Sequence, residues 1–153
     1  MELLNYLSSH LRLTPEQSEK INGAFKYEEC AKGEILLKRD NRSQKVMFIE
    51  KSFIRTYYYN KDRNDITHHF FAENSFTIPI GSTFYNKPTP YGWEVLENSI
   101  IRSIQYRDIE PFFSEIEGFE KLVRLLLIDI IKVFLIGCTL CSFNRHRTGE
   151  GIN

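Results

Sequence analysis

Neither sign of charge prevails in this sequence: 20 Lys and Arg stand against 20 Asp and Glu. The balance is local too, at 8 against 8, 5 against 5 and 7 against 7 over residues 1–50, 51–100 and 101–153. A surface that grips nucleic acid unaided presents a basic stripe, and no stretch here supplies one. Cysteine is scarce as well: Cys30, Cys138 and Cys141 form an odd set too small for a disulfide framework. With no leader-like opening segment, that usage predicts a cytoplasmic protein of a reducing compartment. A membrane span is also missing, because the longest apolar run, Leu122 to Cys141, is broken by Arg124, Asp129 and Lys132, whereas a spanning helix needs about 20 predominantly apolar residues. There are no internal repeats, low-complexity segments or long linkers. The 153 residues therefore read as one domain, long enough to bury a core without staples.

Catalytic signatures are absent in the same way. No nucleophile elbow, phosphate-binding loop or dinucleotide fingerprint occurs. Cys138-Thr139-Leu140-Cys141 has the spacing of a metal or redox pair, but it ends an apolar stretch with only His146 nearby, where a zinc site needs four ligands. His68-His69 followed by Glu73 is closer to a metal site of the cupin kind. Neighbouring residues on a regular strand point to opposite faces, however, and His10 and His146 stand in the terminal segments. The sequence predicts a non-enzyme without metal or cofactor, with a cupin-like metal-dependent enzyme as the alternative.

What is present is a clear change of period. Leu3, Leu4, Leu7 and Leu11 recur at helical spacing, and Thr14-Pro15-Glu16-Gln17 supplies the cap, first-turn proline and capping-box Gln of a second helix. From Phe25 the period becomes two: Phe25 to Glu29, Ile35 to Leu37, Val46 to Ile49, Phe53 to Tyr59, Ile66 to Phe71, Trp93 to Leu96 and Ile100 to Ile104 read as strands. The polar run 60–65 makes a hairpin turn, and the segment 76–91 is interrupted by Pro79, Pro88 and Pro90. Arg107 to Phe113 turns helical, and from Gly118 a long helix runs to about Cys141, apolar around most of its circumference and so in need of cover on more than one side.

The phrases Phe25-Lys26, Ala31-Lys32-Gly33-Glu34-Ile35-Leu36-Leu37, Met47 to Arg55 and Ile66 to Phe76 resemble the sensor domain of the Crp/Fnr family of transcription regulators. The likeness is greatest to a divergent branch common in Bacteroidetes and covers roughly residues 20 to 135. It implies a mainly β fold with flanking helices: an antiparallel jelly-roll (double-stranded β-helix) barrel with two N-terminal helices and a long C-terminal dimerisation helix. Where the family usually has Gly in its second turn this chain has Ser52, so that turn either avoids positive φ or carries strain. The cyclic-nucleotide-binding members hold the ribose with a Gly-Glu pair and the phosphate with an Arg. Here the matching stretch, Phe76 to Ser82, has no acid, and Pro90-Tyr91-Gly92 stands where the Arg would be. Losing a charged partner worth about 1.5–3 kcal/mol argues against cyclic AMP as ligand.

The remaining inventory of that region, Phe71, Thr77, Ser82, Thr83, Phe84, Tyr85, Tyr91 and Trp93, offers aromatic walls and a few hydroxyls. It either lines a pocket for a small neutral or weakly polar effector or simply fills the barrel. A two-fold homodimer is expected through the last helix, with Leu122, Leu126, Ile130 and Val133 at the seam. Residues 1–141 are thus read as a sensing and dimerising domain and 142–153 as a disordered tail. Crp/Fnr regulators carry a helix-turn-helix domain beyond the long helix, and none is present here. The expectation is a truncated or frame-shifted regulator that touches DNA only if that domain exists in a fuller protein, or else a stand-alone module.

Overall fold

The structure is a computed structural model and describes residues 2–148, with side chains through residue 133. Two helices open the chain, α1 (Leu3–His10) and α2 (Pro15–Ala24). Thr14 caps α2 as expected: its hydroxyl accepts from Gln17 N at 3.1 Å while Gln17 Oε1 accepts from Thr14 N at 3.0 Å. This reciprocal pair satisfies two donors that a helix start otherwise leaves open.

Eight strands follow: β1 (Lys26–Cys30), β2 (Ile35–Leu37), β3 (Lys45–Lys51), β4 (Ile54–Tyr59), β5 (Asp65–Phe71), β6 (Phe76–Thr77), β7 (Gly92–Val95) and β8 (Ser99–Gln105). They pair antiparallel into two four-stranded sheets, in the order β1-β8-β3-β6 and β2-β7-β4-β5. The fold is the expected jelly roll, built as two sheets with no closed barrel among the described strands. A short helix missing from the sequence expectation, α3 (Ile80–Tyr85), occupies part of the proline-rich segment. After β8 come α4 (Tyr106–Ile109), α5 (Pro111–Glu115) and α6 (Phe119–Thr148).

The chain forms two compact units, Met1–Glu120 and Lys121–Asn153. In the first, the alternation along each strand decides what is buried. Met47, Ile49, Ile101, Ile54, Val95 and Trp93 are almost completely removed from water, each worth about 1.5–3 kcal/mol. On the opposite face of the first sheet, Phe48 and Phe76 meet Tyr6 of α1 at ring-centroid distances of 5.2 and 5.6 Å. Arg102 on that face, only 7% exposed, pairs with Glu50 at 3.3 Å and donates to the carbonyls of Asn22 and Phe25. Glu50 also accepts from Leu3 N at 2.9 Å. One buried ion pair thus ties both N-terminal helices to β3 and β8.

The second unit is the body of α6. The sequence reading ends this helix near Cys141, whereas it continues through the polar residues 142–148 to Thr148; residues 149–153 lie outside the described part. Along it Leu122 and Ile130 are buried, Leu126 and Val133 half-buried, and Leu125, Ile128 and Ile131 exposed.

Candidate functional site

The site is set by an irregularity in the second sheet. Along β4 and β5 the register runs Ile54 to Phe71, Arg55 to Phe70 and Thr56 to His69, then jumps to Tyr57 opposite Thr67. His68 is the extra residue of a β-bulge, which breaks the strict alternation of faces. Thr67 points outward, where its hydroxyl accepts from Arg55 at 2.9 Å. His69 shares the inner face with buried Phe71, their rings 4.9 Å apart. His68 turns inward as well: its Nδ1 lies 3.5 Å from Oγ1 of Thr56, a fully buried side chain of that face. The premise that adjacent histidines must diverge fails here, because the bulge brings both imidazoles to one side.

The rings around them form a continuous wall. His68 stacks on Tyr91 at 4.4 Å with a 32° tilt, and Tyr58 meets Tyr91 edge-on at 6.1 Å. Deeper in, the indole N–H of Trp93 donates to Thr77 Oγ1 at 2.9 Å, a buried bond joining β7 of one sheet to β6 of the other. Burial disfavours the imidazolium and holds both histidines below their ordinary value, and for His68 the neighbouring His69 adds to the effect. Two imidazoles whose charged form is disfavoured, the hydroxyls of Thr56 and Thr77 and aromatic surface thus share one region without fixed charge.

Of the residues singled out from the sequence, Phe71, Thr77, Tyr91 and Trp93 share this inner region. Ser82 and Thr83 on α3 face elsewhere. Ser82 Oγ accepts from Ser43 N at 2.6 Å, and Thr83 Oγ1 donates to Ser43 O at 3.4 Å, so both hydroxyls fasten the loop before β3. Phe84 packs edge-on against Tyr106 at 4.9 Å, and Tyr85 is 71% exposed. The sequence reading missed Thr56, Tyr58, His68 and His69 as lining residues. Their aromatic and hydroxyl character was visible, but the bulge that aims the histidines is a property of strand pairing.

On the opposite face of the same sheet, Arg55 donates to both oxygens of Asp65 at 2.6 Å and to Glu94 at 2.6 Å, raising its affinity for its proton. That ion network pins β4, β5 and β7 in register. A shallow depression of about 380 Å3 on the first sheet is lined by Glu29, Cys30, Lys51 and Asn98 among others. Burial and Glu34 push the Cys30 thiol up to about 12, which makes it a poor nucleophile. Among the described residues no three His, Cys, Asp or Glu side chains form a metal-binding group, and no helix is long and apolar enough to cross a membrane. The side chains of Cys138, Cys141 and His146 lie outside the described residues.

No family model and no curated protein matches this sequence. Solved structures do. A CooA double mutant from Carboxydothermus hydrogenoformans superposes with a TM-score of 0.71 at 18% identity, covering 98% of this chain and 96% of that one. The catabolite activator protein of Thermus thermophilus gives 0.68 at 12% identity over 91% of this chain and 70% of its own. The heme domain of the same CooA gives 0.65 at 19% identity over 95% and 96%. At such identities the likeness is one of fold, and the fold shared is that of Crp-type and CooA-type transcription regulators.

Proposed function

We propose that this chain is the effector-sensing and dimerising part of a Crp/Fnr-type transcription regulator. The observation that supports the reading most is the likeness to the heme domain of CooA, which extends over 95% of this chain and 96% of that one. The effector site we propose is the inner wall of the second sheet: Thr56, Tyr58, His68, His69 and Tyr91 around the Trp93–Thr77 bond. The stretch 76–82 offers no carboxylate and 90–92 no guanidinium, so a cyclic phosphodiester would leave its charge without a fixed partner. The effector we expect is small and neutral or weakly polar, bound in the cytoplasm, and its binding is not followed by catalysis.

In this reading α6 pairs with its counterpart in a second copy. We place the proposed seam at Leu122, Leu126, Ile130 and Val133 and extend it to Leu125, Ile128 and Ile131, which are exposed in the single chain. In this reading DNA is contacted only if the full-length protein carries a helix-turn-helix domain.

A sizing column combined with a thermal-shift screen tests the proposal. The chain should elute as a dimer, Ile128→Asp should elute as a folded monomer, and neither should retard DNA. The screen should include cyclic AMP, hemin and divalent metals; a ligand at a hundred times its dissociation constant adds about 2.7 kcal/mol of stability. Stabilisation by cyclic AMP would overturn the argument from the missing charges. A stoichiometric divalent metal lost on replacing His68 or His69 would instead favour the metal-dependent alternative.

A further inference from the structure

The charge balance of the sequence conceals a segregation in space. Three separate segments, 38–42, 60–64 and 85–87, meet at one end of the roll. Arg39 lies over the ring of Tyr59 at 5.1 Å, bringing the loop after β2 to the hairpin after β4. That same loop is joined to the segment after α3: Asp40 N donates to Thr89 O at 2.7 Å, Thr89 N to Asn41 O at 2.9 Å, and Arg42 Nε to Asn86 O at 3.0 Å. Together the three segments carry six Lys or Arg against two Asp. Only Arg39 among the six has a salt bridge within the described residues, to Asp40 at 3.3 Å. Lys38, Arg42, Lys61, Arg63 and Lys87 are exposed and, among the described residues, form no salt bridge, and Tyr59 and Tyr85 of the same segments are 44% and 71% exposed.

The turn at the hairpin tip sharpens the point. Asn60 Oδ1 accepts from the backbone N–H of Asp62 and Asn64, each at 2.9 Å, and this geometry puts Arg63 at φ 63°. Glycine or asparagine fills such a position at least cost. An arginine there bears backbone strain to present a guanidinium at the tip, and strain retained at an exposed charge points to a use for that charge.

We propose that this end of the roll docks an acidic segment of a protein partner. Net positive charge and open tyrosines fit carboxylates and apolar side chains on a facing chain. The two aspartates inside the patch decide between partners. A nucleic-acid backbone carries negative charge at every step and would meet repulsion at Asp40 and Asp62, whereas a protein segment can place a cation opposite each and gain register from it. The proposal is independent of which effector the inner wall binds.

The test uses the full chain and three labelled probes in a fluorescence-anisotropy titration: a peptide of alternating Glu and Phe, the same peptide with Gln for Glu, and a single-stranded thymidine oligonucleotide. The acidic peptide should bind and the Gln peptide should not. Affinity should fall several-fold when salt is raised from about 50 to 200 mM, as screening shortens the reach of exposed charges. Arg42→Glu with Arg63→Glu should weaken binding by about tenfold or more, while Lys32→Glu, in the turn between β1 and β2, should leave it unchanged; circular dichroism confirms that each variant is folded. Equal binding of both peptides, no binding of either, or insensitivity to the double reversal would overturn the proposal. Tighter binding of the oligonucleotide would assign the patch to nucleic acid instead.

Discussion

The ring of Tyr57 occupies the space that any side chain at position 92 would need. A Cβ built on Gly92 would come within 2.5–2.6 Å of two carbons of that ring and its phenolic oxygen. The two residues face each other across β4 and β7, and Arg55 stacks its guanidinium over the ring, 4.8 Å from the centroid. A glycine in a strand is normally a weak point. Here the missing side chain is the seat of an aromatic that carries the ion network of Arg55, Asp65 and Glu94.

Gly92→Ala should therefore destabilise the fold by about 1–3 kcal/mol, the usual cost of forcing a packed ring to move. Urea denaturation reads this as a lower midpoint. In a Tyr57→Ala background the same substitution should cost far less, because the obstructing ring is gone. Equal costs in the two backgrounds would show that the ring is not what excludes a side chain at 92.

Much of this architecture could be read from the residues themselves. The capping box at Thr14, the strands with β-branched and aromatic alternation and the long apolar helix all announce local preferences, and the structure keeps them. What the sequence does not carry is long-range pairing. That β1 lies beside β8 and β2 beside β7 cannot be seen in either strand. The same holds for the bulge at His68, which exists only as a mismatch between β4 and β5. The basic end is hidden for a related reason: charges that balance within each third of the chain are sorted by turns that converge from distant positions. The helix α3 was obscured by Pro79 and Pro88, which bound it without interrupting it.

The paired histidines predict a pH dependence with a definite sign. Both lie below the ordinary 6.5 in the folded chain, so as pH falls through that value the unfolded chain takes up protons first. Their contribution is constant above about 6.5, declines below it, and levels off once the folded-state values are passed. The urea midpoint should drop between about pH 7.5 and 5.5, and His68→Gln with His69→Gln should flatten that drop. Glu28 and Asp65 act in a separate window. Their affinities for protons are lowered, Asp65 by Arg55, and Glu28 by Ser103 and Lys45 against the opposing effect of burial, so their stabilisation is lost only in the more acidic range. Parallel profiles for the parent and the double variant between pH 7.5 and 5.5 would refute the assignment.

Ser52 offers a substitution that should improve the protein. It sits in the turn between β3 and β4 at φ 74°, so the turn does adopt the left-handed conformation that Gly would fill without strain. Its N–H donates to Glu73 Oε1 at 3.0 Å, but its own hydroxyl is buried with no partner. A left-handed residue with a Cβ costs about 1–2 kcal/mol, and an unpaired buried hydroxyl about 1–3 kcal/mol. Glycine removes both and keeps the backbone bond to Glu73, against an entropic loss of about 0.5–1 kcal/mol. Ser52→Gly should therefore stabilise the fold by about 1 kcal/mol or more, seen as a higher denaturation midpoint. Ser52→Ala separates the two contributions, since it removes the hydroxyl but keeps the Cβ, and it should gain less than glycine. If alanine stabilises and glycine does not, the hydroxyl matters and the backbone strain does not.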